Sequence, residues 1–154
     1  MSLLELSEQE ILRRESLKEL RAMGIEPYPA AEYVVSDYSQ NIKEEFSDDA
    51  PKKEVTVAGR IMSRRIMGKA SFMELQDSKG RVQVYISRDD LCPGQNKDMY
   101  NLVFKKLLDI GDFVGIKGYV FRTQLGEISV HAEEMTVLSK SLRPLPIVKY
   151  KDGV

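Results

Sequence analysis

The chain has 154 residues, 42% of them hydrophobic, a single cysteine and a formal net charge of −1. That length suits one domain with an appendage and a real core. No apolar run is long enough to suggest a membrane span, the start MSLLELSEQE has neither region of a signal peptide, and a lone Cys92 excludes a disulfide framework. A reducing cytosol is the expected compartment. The charge is unevenly spread. Residues 1–54 hold 7 Lys and Arg against 13 Asp and Glu, a net −6; residues 55–154 hold 16 against 11, a net +5. A basic body behind an acidic segment suits a polyanionic partner.

Ser7-Glu8-Gln9-Glu10 reads as a capping box. Ile11, Leu12, Leu17 and Leu20 follow at roughly helical spacing, and Gly24, Pro27 and Pro29 stop the pattern. A helix is expected from about Glu8 to Met23, with Arg13, Arg14, Lys18 and Arg21 as a basic, solvated side. Residues 25–52 are less regular, with one short helix expected within 39–46.

From Val55 the pattern turns to strand. Strand one runs over 55–65, with Gly59 as a bulge or bend. Strand two is Ser71 to Gln76, and Asp77-Ser78-Lys79-Gly80 turns into strand three, Arg81 to Ser87. A helix is expected over about 95–108, then strand four over 112–122 and strand five over 127–138. Five strands with a helix between the third and fourth fit an OB-fold, a mainly β Greek-key barrel with an added N-terminal helix. In Ser71-Phe72-Met73-Glu74-Leu75-Gln76, Met73 and Leu75 share one face and Phe72 lies with Glu74 and Gln76 on the other. An aromatic on the ligand face of such a barrel is a stacking platform for a base. On periodicity alone, Phe72 packing under the N-terminal helix explains the pattern equally well.

The segments VAGRIMSRRIMGKASFMELQDSKGRVQVYISRDD, FKKLLDIGDFVGIKGYVFRTQLGEISVHAEEMTVLSKSLRPLP and RRESLKELRAMGIEPYP, from about Arg13 to Pro146, resemble the N-terminal anticodon-binding domain of class II lysyl-tRNA synthetases. The resemblance implies a helical extension over 1–54, a barrel over 55–140 and a linker over 141–154 toward a catalytic domain outside this chain. It implies the tRNA(Lys) anticodon loop as partner. The reader of the central uridine is then Phe72 for stacking, Gln83 as the amide, Glu127 as the acid and Arg65 as a base-contacting arginine. Uracil offers one donor, N3–H, between two acceptors, which an acid, an amide and an arginine match between them. Arg64, Lys69, Arg88 and Lys117 are candidates for phosphate contacts.

No catalytic or metal-ligating residue is expected in this chain, and no cofactor. ATP and Mg²⁺ are implied only for a full-length synthetase, whose relatives are dimers, so this chain alone is expected to charge no tRNA. His131 reads as a surface or packing residue. Aspartyl and asparaginyl enzymes share the barrel and a central anticodon uridine. A protein-interaction barrel and a sequence-neutral single-strand binder are rivals; the latter expects several stacking aromatics.

Overall fold

Alternation in the strand segments decides the architecture. The computed structural model describes residues 8–27 and 32–140. Ser7 of the expected capping box and the expected linker over 141–154 lie outside them. The strands are β1 (Glu54–Met67), β2 (Ala70–Asp77), β3 (Gly80–Ser87), β4 (Phe113–Arg122) and β5 (Ile128–Ser139). They close a barrel in the order β1-β2-β3-β5-β4, all neighbours antiparallel except β3 and β5. This is the OB-fold, and strand boundaries fall within one or two residues of those expected.

The interior is filled by the inward residues of each strand: Val55, Val57 and Ile61, Met73 and Leu75, Val82, Val84 and Ile86, Val114 and Ile116, Val130 and Ala132. Chain closure is tight where β4 meets β5. A Cβ on Gly118 would overlap the carbonyl oxygen of His131, so no larger residue fits without shifting backbone.

The pairing of β1 with β2 slips by one residue. Ile61 faces Leu75 and Ser63 faces Glu74, which leaves Met62 as an extra residue. A one-residue slip turns every following side chain to the opposite face. Before it, Val55, Val57 and Ile61 point inward; after it, Arg64 sits opposite buried Met73 and Arg65 opposite Phe72. The irregularity expected at Gly59 therefore falls three residues later. Gly59 instead permits a close approach: its Cβ would stand 2.7 Å from the Gln76 carbonyl oxygen.

The helix between β3 and β4 differs from the one expected over 95–108. A single turn, α3 (Arg88–Leu91, following α1 and α2 below), is followed by irregular chain and then a π-helix, Met99–Leu107. Pro93 and Gly94 break the first segment, and Asn96 Oδ1 accepts the Asp98 N–H at 2.8 Å, a local turn that competes with helix. The Leu108 N–H closes the π-helix on the Val103 carbonyl at 2.9 Å. Tyr100, Val103, Phe104 and Leu107 plug the barrel. The Tyr100 hydroxyl donates to the Gly68 carbonyl at 2.9 Å and accepts from buried Ser71 at 2.7 Å, which satisfies both groups.

Helix α1 (Glu8–Ala22) ends as expected at Gly24, whose φ of 84° and the bond from Ile25 N–H to the Leu20 carbonyl form a Schellman cap. Its packing face differs. Glu10, Arg13 and Leu20 are buried, whereas Ile11 and Leu12 are exposed. Arg13 leaves the expected solvated side because its guanidinium donates to the Ile110 carbonyl at 2.9 Å. Nearby, Lys140 is 1% exposed and bridges Asp109 at 2.6 Å and fully buried Asp112 at 2.9 Å. Helix α2 (Ser39–Glu45) is tied to the β2–β3 turn by Ser39, whose N–H and hydroxyl both donate to Asp77.

Removing one partner of a buried pair leaves the other uncompensated, which costs about 3–5 kcal/mol. Lys140→Met should lower the unfolding free energy by about that amount in a urea titration. A loss below about 1 kcal/mol, the worth of a surface pair, would show that Lys140 does not hold β5 to the barrel end.

Candidate nucleic-acid interface

Because Met73 and Leu75 are buried, Phe72, Glu74 and Gln76 face outward from β2. By the same alternation, β3 buries Val82, Val84 and Ile86 and turns Gln83 and Tyr85 out. Phe72 is not beneath α1, which packs on the π-helix. Arg65 reaches the same surface through the slip at Met62, and its guanidinium lies 5.5 Å from the centroid of the Phe72 ring. Arg65, Phe72 and Gln83, with Ser63, Glu74 and inward-leaning Arg64, line one cleft of about 270 Å³.

The groups in this cleft are a planar cation, an aromatic ring, an amide and a carboxylate. Among the described residues Arg65 makes no ion pair and Gln83 no side-chain hydrogen bond, so their donors and acceptors face solvent. Glu74 accepts from Arg81 at 2.8 Å. Glu127 stands apart from the cleft wall. It is exposed in the turn before β5, where its N–H donates to Thr123 Oγ1 at 3.1 Å and its carbonyl accepts from the Thr123 N–H. Strand parity puts it on the side of Ser129, which pairs with Gln83.

The residues expected near phosphates are scattered. Lys69 is exposed in the β1–β2 turn and Lys117 is exposed on β4. Arg88 pairs with Asp89 at 3.0 Å. Arg64 donates to the Phe104 carbonyl at 2.7 Å, so its guanidinium braces the π-helix. Burial lowers the pKa of Arg64, and the charges of Asp109 and Asp112 oppose that shift.

A larger aromatic surface surrounds the cleft. One cross-strand row runs Arg65, Phe72, Tyr85, His131, Tyr119 through successive partners on β1, β2, β3, β5 and β4. Neighbouring rings lie 5.2 Å (Phe72–Tyr85), 5.1 Å (Tyr85–His131) and 4.7 Å (His131–Tyr119) apart, and Lys52 caps the far end 3.8 Å above Tyr119. A second row runs Glu74, Gln83, Ser129, Phe121. The outward alternation of Lys117, Tyr119 and Phe121 was readable, but their adjacency to Phe72 depends on the β3–β5 pairing.

His131 is 14% exposed and bonded on both ring nitrogens, to the Asp90 carboxylate at 2.7 Å and the Tyr119 hydroxyl at 3.0 Å. A carboxylate only accepts, so in the neutral ring Nε2–H donates to Asp90 and Tyr119 donates to Nδ1. Burial, then the charges of Asp90, Glu133 and Glu54, push the Tyr119 phenol up, which keeps that proton in place. His131 is a packing residue that fixes the middle of the aromatic row. Among the described residues no group of three or more His, Cys, Asp or Glu gathers to hold a metal, and no helix is long and apolar enough to cross a membrane.

The face assignment can be checked without ligand. Met73→Ala should cost about 2–5 kcal/mol of stability, as buried large-to-small changes do. Phe72→Ala should cost clearly less and keep the far-UV circular dichroism. An equal loss for both would place Phe72 in the core.

The tRNA anti-codon family model, described as an OB-fold nucleic acid binding domain, matches residues 55–138. The chain is 67% identical to a lysine–tRNA ligase of Porphyromonas gingivalis, over 99% of this chain and 27% of that protein. It is 69% identical to one of Azobacteroides pseudotrichonymphae, over 97% and 30%, and 55% identical to one of Christiangramia forsetii, over 94% and 25%. The chain thus spans between a quarter and a third of the length of these curated relatives. With the barrel and its outward aromatic face, the matched model shows that this chain belongs to the tRNA anti-codon family of OB-fold nucleic acid binding domains.

Proposed function

We propose that this chain is the anticodon-recognising part of a lysine–tRNA ligase and binds the anticodon loop of tRNA(Lys). The observation that carries the reading is the cleft in which Arg65, Phe72 and Gln83 converge with their recognition groups free. The names of the relatives favour lysine over the aspartate and asparagine enzymes. In this reading residues 1–54 are a helical extension, 55–140 the barrel, and 141–154 the lead into a catalytic part. ATP and Mg²⁺ act in that catalytic part, in a cytoplasmic enzyme that works as a homodimer. The chain alone binds RNA and does no chemistry.

Recognition divides between ring face and ring edge. The central uridine, splayed from the loop, stacks on Phe72, which holds any base by its face at about 1–3 kcal/mol. Arg65 stays over the far side of the cleft and donates to a uracil carbonyl. Gln83 presents an amide to the other polar edge, and Glu127 closes from the β5 side to accept N3–H. Lys69 and Lys117, which make no ion pair among the described residues, serve the backbone. Arg88 reaches phosphate only by exchanging its bond to Asp89. Arg64 contributes through the π-helix contact.

A uridine-to-cytidine replacement at the central position tests the edge reader. Cytosine N3 is an acceptor, so it faces the Glu127 carboxylate with two lone pairs opposed. The unaltered chain should bind the cytidine loop about 1–3 kcal/mol more weakly. Glu127→Gln should narrow that preference, because its amide can present a donor. Dissociation constants at one salt concentration decide it, and a full preference retained by Glu127→Gln would remove Glu127 as the N3–H reader.

The same titration repeated across salt should show weakening with a shallow slope, on the order of two to four phosphate contacts. A flat response would mean that phosphates are not engaged and would favour a protein partner.

A further inference from the structure

A second cleft, of about 460 Å³, opens beside the aromatic rows between the segment after α2 and the outer face of β4. It is walled by Phe46, Lys52, Lys53, Tyr119, Phe121 and Arg122, so aromatic rings and cations alternate around it. Half of this wall comes from residues 42–53, which lie outside the segment matched by the family model.

The cations differ in how they are engaged. Lys53 is held by Asp37 at 2.9 Å and Glu45 at 3.1 Å. Arg122 is held by Asp48 at 3.1 Å and lies 5.3 Å from the Phe46 ring centroid. These two pairs brace the wall and cancel most of its charge. Lys52 makes no ion pair among the described residues. It is exposed, rests on the Tyr119 ring and feels the nearby carboxylate of Glu54. Tyr119 is covered by His131 on one side and Lys52 on the other, so Phe121 is the ring of β4 left to receive a partner. Phe121 lies in the same cross-strand row as Gln83, with only the small, buried Ser129 between them. Two strand spacings separate the two positions, roughly 10 Å, a span that adjacent splayed nucleotides bridge.

We propose that this cleft is a second nucleotide subsite, in which the base flanking the central anticodon base packs on Phe121 and its phosphate meets Lys52. The proposal rests on the reading of Phe72 as the platform for the central base. An aromatic wall with a single uncommitted cation matches one base and one phosphate, whereas an acidic peptide would face Glu45 and Asp48. The N-terminal extension thereby becomes part of the RNA surface.

The test uses the whole chain and a lysine anticodon stem-loop RNA, with an abasic residue replacing the base on either side of the central uridine in turn. Lys52→Glu should bind the intact loop about fivefold or more weakly and lower the salt slope by about one. The same charge reversal at exposed Lys18 on α1 should change much less. Phe121→Leu should also bind about fivefold or more weakly. One of the two abasic loops should bind the unaltered chain more weakly, yet bind Phe121→Leu no worse than the intact loop does. If Lys52→Glu binds as tightly as the unaltered chain while Phe72→Ala loses affinity, the subsite is wrong and the central reading stands. If Phe72→Ala also binds unchanged, both fail. Should Phe121→Leu not fold, the exposed Lys52 variant decides alone.

Discussion

The single extra residue at Met62 is the constraint on which the recognition surface depends. Strand alternation is strict, and β1 begins with its odd-numbered residues buried. Continued unbroken, that parity would bury Arg65 and expose Arg64. The slip against β2 reverses it, so that consecutive arginines serve opposite sides of one strand. Arg64 turns to the π-helix that plugs the barrel, and Arg65 turns to Phe72. A bulge at this position re-aims a side chain, which is how bulges near functional sites commonly act.

Closure of the barrel supplies the remaining half of the surface. Strands β3 and β5 pair over three residues only: Gln83 with Ser129, Val84 with Val130, and Tyr85 with His131. Those contacts bring β4 and β5 beside the β2–β3 hairpin and join their aromatics into one row. The row is half-buried, and His131 locks its centre through hydrogen bonds to Asp90 and Tyr119. Preorganisation of this kind lowers the ordering cost that binding must overcome.

The sequence was most legible where structure is local. The alternation of Met73 and Leu75 against Phe72, and of Val82, Val84 and Ile86 against Gln83, gave the correct faces. Gly24 marked the end of α1 because a positive φ suits glycine there. Arg65 entered the site by resemblance alone, since the slip that exposes it depends on its pairing with β2. The expected long helix failed because Asn96 capped its own backbone and the chain then formed wider π turns, which apolar spacing does not distinguish. Arg13 looked solvated because its partner, the Ile110 carbonyl, lies 97 residues away in sequence. The aromatic row was missed for the same reason: each ring sits on an outward position, but their adjacency is a property of the closed barrel.

The claim that the outward surface of β1, β2 and β3 is the RNA face is tested most directly by nuclear magnetic resonance. The ¹⁵N-labelled chain would be titrated with a lysine anticodon stem-loop while backbone amide shifts are followed. The largest changes should cluster at Arg65, Phe72, Gln83 and their row partners. Amides around the separate cavity bounded by Tyr33, Ala58, Arg60 and Phe113 should barely move. Large changes at that cavity, with Phe72 and Gln83 unmoved, would contradict the account.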